Sequence, residues 1–133
     1  GIKLETRGEA HITLLTPPEA TSGNPSLNSF VPTSELITDT QSDVNAIKYS
    51  IDCIGEQKDS NGKRVFYLVV SSSDAFQYRV KVWGLAKSRG ALDHIFDPAN
   101  FYPHITIGFI KDDIHGVKKD KSSCIQGIEL EQY

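Results

Sequence analysis

Two copies of one triplet stand far apart in the chain, His11-Ile12-Thr13 near its start and His104-Ile105-Thr106 in its last third. Residues two apart on an extended strand project from the same face, so each triplet sets an imidazole beside a hydroxyl and turns its isoleucine the other way. Two such strands side by side would offer two imidazoles and two hydroxyls to one ligand. That set suits attack on a phosphodiester. One imidazole takes a proton from water, the other gives one to the leaving oxygen, and the hydroxyls donate to the non-bridging oxygens. The bare repetition is weak evidence: 13 Ser and 8 Thr among 133 residues with 4 His give such a double pattern by chance at about 0.15. Use of Thr in both copies, each inside an apolar and β-branched run, makes the coincidence far harder to obtain.

The elements that would carry these residues follow from pattern. Gly8 to Thr16 is a short apolar run stopped by Pro17-Pro18 and predicts a strand with His11 and Thr13 on one face. Glu19 to Asn45 is rich in Ser, Thr, Asn and Pro and reads as mostly loop, with one short helix opening at Pro32. Ala46 to Gly55 alternates, with Ile47, Tyr49, Ile51 and Cys53 on one face, and Arg64 to Ser71 is continuously apolar. Asp59-Ser60-Asn61-Gly62 between them supplies hairpin turn residues, so two antiparallel strands are expected. Ser73 is the expected N-cap of an amphipathic helix whose apolar face holds Phe76, Val80 and Trp83, closed by Arg89-Gly90. After a loop from His94 to Asn100, the run Phe101 to Ile110 predicts a strand with Ile105, Ile107 and Phe109 on one face and His104, Thr106 and Gly108 on the other. Lys111 to Lys121 is charged and irregular, and Cys124 to Leu130 could add an edge strand.

Length and composition predict one soluble domain over 1–133 with a core of its own, placed inside the cell. No stretch approaches the roughly 20 apolar residues that cross a bilayer, and no leader opens the chain, so no membrane partner is expected. The chain starts at Gly1 and holds no Met, which suggests a segment cut from a longer polypeptide with covalently linked neighbouring domains. Cys53 and Cys124, two and far apart, fit neither a disulfide framework nor a zinc site and read as buried small hydrophobes. A net charge of −3 disfavours an extended basic face for long nucleic acid, so an anionic substrate must be held locally.

With these residues in view, the sequence resembles the 2H phosphoesterases, whose mark is a pair of His-x-Thr/Ser motifs on neighbouring strands. More narrowly, Arg7-Gly8-Glu9-Ala10-His11-Ile12-Thr13, Phe101 to Phe109 and the tail Asp113-Ile114-His115-Gly116-Val117 are similar to the 2H domain of fungal Swiss Army Knife RNA-repair proteins. The resemblance implies an α+β, two-lobed fold of antiparallel sheets with the two His-x-Thr strands adjacent in a central cleft. It implies as partner an RNA end or small nucleotide carrying a cyclic phosphate. The expected activity is that of a cyclic phosphodiesterase using neither metal nor cofactor, and a monomer. His11, Thr13, His104 and Thr106 are the expected catalytic set, with His104 as base and His11 as acid by analogy. A module that binds RNA ends or nucleotides without turnover is the alternative.

Other residues have plainer readings. Tyr102 shares the His104 face and is either a substrate contact or a half-buried aromatic. Arg7, Arg79 and Lys81 are the nearest candidates for further phosphate contacts, solvated surface being the alternative. His94 and His115 fall in loops and carry no partner spacing, although His115 lies in the family-like tail.

Overall fold

Asp59 and Gly62 decide the first pairing of the sheet locally. In the computed structural model, which describes residues 10–125, Asp59 Oδ1 accepts from the backbone N–H groups of Asn61 and Lys63, both at 2.9 Å. Gly62 takes a φ of 82°, a conformation glycine adopts freely. The turn folds strand β1 (Ser50–Lys58) against β2 (Arg64–Ser71) as antiparallel neighbours, as the sequence predicts. Strand β3 (His104–Ile110) pairs antiparallel on the far side of β2, giving a sheet of order β1-β2-β3. The chain divides into two compact units, and the sheet belongs to the one made of the described parts of Gly1–Thr13, Ser50–Ser71 and Tyr102–Tyr133.

Two bulges set which side chains share a face. The β1/β2 register shifts at Asp52, whose carboxylate accepts from the Ser71 hydroxyl. The predicted strand from Ala46 therefore starts only at Ser50, and the single face expected for Ile47, Tyr49, Ile51 and Cys53 does not exist. Tyr49 is exposed and Ile47 packs in the other unit. The second shift falls at Ile107, since Gly108 pairs with Phe66 while Thr106 pairs with Tyr67. The extra residue reverses the alternation, so Phe109 joins His104 and Thr106 on the face of Val65, Tyr67 and Val69, and Gly108 leaves it. This corrects the expected grouping of Phe109 with Ile105 and Ile107. The apolar core of the unit lies on that face: Cys53, Val65, Tyr67, Val69, Phe109 and Ile114.

At one edge, the described part of the predicted Gly8–Thr16 strand reduces to a single antiparallel bridge, Ile12 to Ile105, after which the chain bends at Leu14. At the other edge Cys124 bridges Gly55, and the Ile125 N–H donates to Ile54 O at 2.8 Å. The rest of the predicted Cys124–Leu130 strand lies outside the described residues. Cys53 and Cys124 form a disulfide across 71 residues, which corrects their reading as separate buried thiols.

The second unit, Leu14–Tyr49 and Ser72–Phe101, is helical. Helix α1 (Thr33–Asn45) opens after Pro32, where a short helix is expected, and runs on through what reads as loop. Its polar sequence hides one apolar contact stripe: Leu36 is buried, and the buried Thr40 hydroxyl donates back to Leu36 O at 2.7 Å and lies 3.2 Å from Tyr78 Oη. Helix α2 (Ser73–Ser88) is capped by Ser72, one residue before the expected position, whose hydroxyl accepts from Ala75 N at 3.0 Å. Its buried face holds Ala75, Tyr78, Arg79, Val82 and Ala86, while Phe76 and Val80, expected inside, are partly exposed. No described helix is long and apolar enough to cross a membrane.

Arg79 is neither a surface residue nor a phosphate contact. At 1% exposure it donates to Glu19 Oε1 and Oε2 at 3.0 and 2.8 Å, and to the carbonyls of Leu14, Asp97, Pro98 and Asn100. Its guanidinium lies between the Phe96 and Phe101 rings, 4.5 and 4.7 Å from their centroids. All its partners belong to the helical unit, which it ties together as a fully satisfied buried cation. Arg79→Met should therefore cost about 3 kcal/mol or more of stability, because Glu19 and several carbonyls lose their donor. Urea unfolding followed by circular dichroism would read this, and a loss below about 1 kcal/mol would contradict it.

Candidate active site

Ile105 is paired on both sides, with Leu68 of β2 and with Ile12. The second pairing is the geometrical fact on which the site rests. In an antiparallel pair centred on Ile12 and Ile105, His11 stands opposite Thr106 and Thr13 opposite His104. In such a pair the flanking side chains leave from the side away from the isoleucines, which for His104 and Thr106 is the face that also carries Tyr67 and Val69. Directly opposed Cβ atoms lie about 4.5–5.5 Å apart and diagonal ones about 7–8 Å, so imidazoles occupy one diagonal and hydroxyls the other. His11 and Thr13 are exposed, and His104 and Thr106 are partly buried.

His104 is held from two directions. Its Nδ1 lies 2.8 Å from the carbonyl oxygen of Tyr102. A carbonyl only accepts, so Nδ1 carries the proton and Nε2 of the neutral ring keeps its lone pair. The ring also meets Tyr67 edge to face, with centroids 5.6 Å apart. Burial holds His104 below its ordinary imidazole range; the Tyr102 carbonyl opposes this, Lys119 and His11 add to it, and Asp113 opposes it.

Tyr67 is wholly buried and can be so only because residue 55 is glycine: a Cβ there would come within 2.5 Å of Tyr67 Cε2. Burial pushes its phenol above the ordinary value, so it stays protonated. It donates to Ser123 Oγ at 2.6 Å, and Ser123 donates to Asp120 O at 2.6 Å. The Lys119 ammonium sits 5.6 Å from the Tyr67 ring centroid and 3.4 Å from Asp113 Oδ1. Lys119 is buried at 4% exposure. Its neighbour Lys118 is exposed, with Nζ 6.0 Å from the Tyr102 ring centroid and its carbonyl accepting from Gln57 Nε2.

The Ile12–Ile105 bridge thus sets the two triplets side by side, and the Tyr102 carbonyl holds the His104 ring. Arg7 lies outside the described residues. Lys81 pairs with Asp43 at 2.6 Å within the helical unit, and Arg79 is spent there. His94 and His115 are exposed, as their loop sequences suggest. Among the described residues no three of His, Cys, Asp and Glu stand close enough together to hold a metal ion. Sequence reasoning missed Tyr67, Lys119 and Asp113. Tyr67 hides in an apolar run, and Lys119 in a stretch that reads as charged and irregular. The one usable signal was Gly55, since an isolated strand glycine marks the close approach of another group.

A family model described as the Swiss Army Knife 2H phosphoesterase domain matches residues 2–115. No curated protein and no solved structure matches the chain. Both His-Ile-Thr triplets fall inside the matched span, and they meet in space through the Ile12–Ile105 bridge. The chain belongs to the Swiss Army Knife 2H phosphoesterase family.

Proposed function

We propose that this domain hydrolyses a cyclic phosphodiester, a 2′,3′-cyclic phosphate at an RNA end or on a small nucleotide, to a monoester by two-histidine catalysis without a metal. The observation that carries the reading is the Ile12–Ile105 bridge, which sets the two triplets side by side. In-line displacement at phosphorus needs attacking and leaving oxygens on opposite sides, and a diagonal pair of imidazoles serves both sides at once. His104 Nε2 takes a proton from water as its oxygen attacks phosphorus. The bond from phosphorus to a ribose oxygen breaks, and protonated His11 supplies that oxygen with a proton. One proton enters the protein and one leaves it. Thr13 and Thr106 donate to the non-bridging oxygens, where negative charge grows.

The roles of the two histidines follow from their settings. A buried, neutral imidazole with a fixed Nδ1–H is suited to accept a proton at Nε2, and the exposed His11 is suited to deliver one. Tyr102, with the Lys118 ammonium over its ring, is the proposed contact for the nucleoside beyond the phosphate, together with Arg7.

His11→Ala and His104→Ala should each lower kcat by about 10²–10⁴-fold with circular dichroism unchanged. Thr13→Val and Thr106→Val should cost less. Near wild-type turnover in either His variant would refute the shared site. Treatment with EDTA should leave the rate unchanged, whereas loss restored by one divalent ion would overturn the metal-free mechanism.

The pH profile gives a third expectation. His104 must be neutral to act as base, and its proton affinity is held down, so activity appears as pH rises through a value below 6.5, the ordinary value for imidazole. The acid limb of log kcat/KM against pH should therefore lie below 6.5 and disappear in His104→Ala. An acid limb above 6.5 would contradict the assignment of His104 as base.

A further inference from the structure

Among the described residues, Lys119 is the buried charge of the sheet unit that the proposed reaction leaves without a task, and it lies beyond the matched span 2–115. Buried ammonium groups are costly and occur almost only where they are paired. Asp113 is a modest pair: Nζ to Oδ1 is 3.4 Å, and the same oxygen accepts the Ile114 N–H at 2.7 Å. The other neighbour is the face of Tyr67, 5.6 Å from Nζ to the centroid, and against that same ring the edge contact of His104 is made. His104, Tyr67, Lys119 and Asp113 thus form one packed series on the site face. Its far end is pinned by Ser123 to the Tyr67 hydroxyl and by Cys124 to Cys53.

We propose that the Lys119–Asp113 pair is a positioning device for the site, in which the buried ammonium, packed on the far side of Tyr67, adds to burial in keeping His104 uncharged and so favours it as the proton acceptor of the two histidines. Charges in a poorly screened interior act on one another more strongly than surface charges do, so Lys119 outweighs the exposed Lys118. Among the described residues, the charged and titratable groups that act on His104 are Lys119, Asp113, His11 and Tyr67. Tyr67 remains neutral, His11 and Lys119 oppose a second positive charge, and Asp113 favours one, the ammonium having the larger effect of the pair. The inference deepens the proposed role of His104 and rests on it for its catalytic meaning.

The test reads the ring directly. The Hε1 resonance of His104 in the full 133-residue chain is followed by NMR against pH without substrate, assigned by its loss in His104→Ala. Lys119→Met should move the midpoint up, Asp113→Asn should move it down, and Lys119→Arg should restore the wild-type midpoint. The double variant Lys119→Met/Asp113→Asn, which leaves no unpaired buried carboxylate, should still titrate above wild type. It decides the question together with Asp113→Asn if Lys119→Met does not fold. A double variant titrating with or below wild type, or an Asp113→Asn midpoint that stays put, would overturn the proposal. In active protein the acid limb of kcat/KM should move with the midpoint. A midpoint that shifts as described in a protein without turnover would sink the hydrolase reading and leave the electrostatic one standing.

Discussion

Tyr67 has room for its ring only because residue 55 carries no side chain. Much of the site follows from that vacancy. The ring fills the face of the sheet above Gly55, its hydroxyl reaches Ser123, and its plane supports Lys119 on one side and His104 on another. A β-carbon at position 55 would drive the ring away and loosen all three. The same phenol must remain protonated to donate to Ser123, and burial ensures that it does. Packing and electrostatics therefore have a common origin, since the apolar surroundings that bury Tyr67 also keep water from His104 and weaken its hold on a proton.

Legibility in the sequence tracked how local each decision is. The β1–β2 hairpin was readable because Asp59 and Gly62 make their turn within a few residues. The pairing of the two triplets was readable because a residue pattern with chemical meaning occurs twice. The bulge at Ile107 was not, because an extra residue in a ladder is decided between strands, and nothing in His-Ile-Thr-Ile-Gly-Phe announces it. Nor was the Cys53–Cys124 bond, which depends on a tail returning across 71 residues to the edge of β1. The opening of helix α1 at Pro32 is legible but its length is not, because Ser, Thr and Asn residues favour turns and packing of Leu36 and Thr40 overrides that preference.

Charged residues misled in one consistent way. Arg79 is expected at a phosphate or on the surface and Lys119 falls in a charged, irregular stretch, yet both lie inside, where basic side chains are rare. Each is buried because folding supplies what the sequence does not display: four carbonyls, a carboxylate and two aromatic rings for Arg79, and a carboxylate and one ring for Lys119. Their tasks differ. Every donor of Arg79 is engaged inside the helical unit, whereas Lys119 has a long contact to Asp113 and a histidine beside the ring it covers.

Membership in the Swiss Army Knife 2H phosphoesterase family and the meeting of the two triplets leave one central claim, that the face they form turns over a cyclic phosphate. The direct measurement is ³¹P NMR of the purified chain with a panel of nucleoside 2′,3′-cyclic phosphates and short cyclic-ended RNAs. The account predicts that the cyclic phosphate resonance is replaced by that of a phosphomonoester. A ligand that perturbs the His104 resonance and is recovered unchanged from every member of the panel would contradict it.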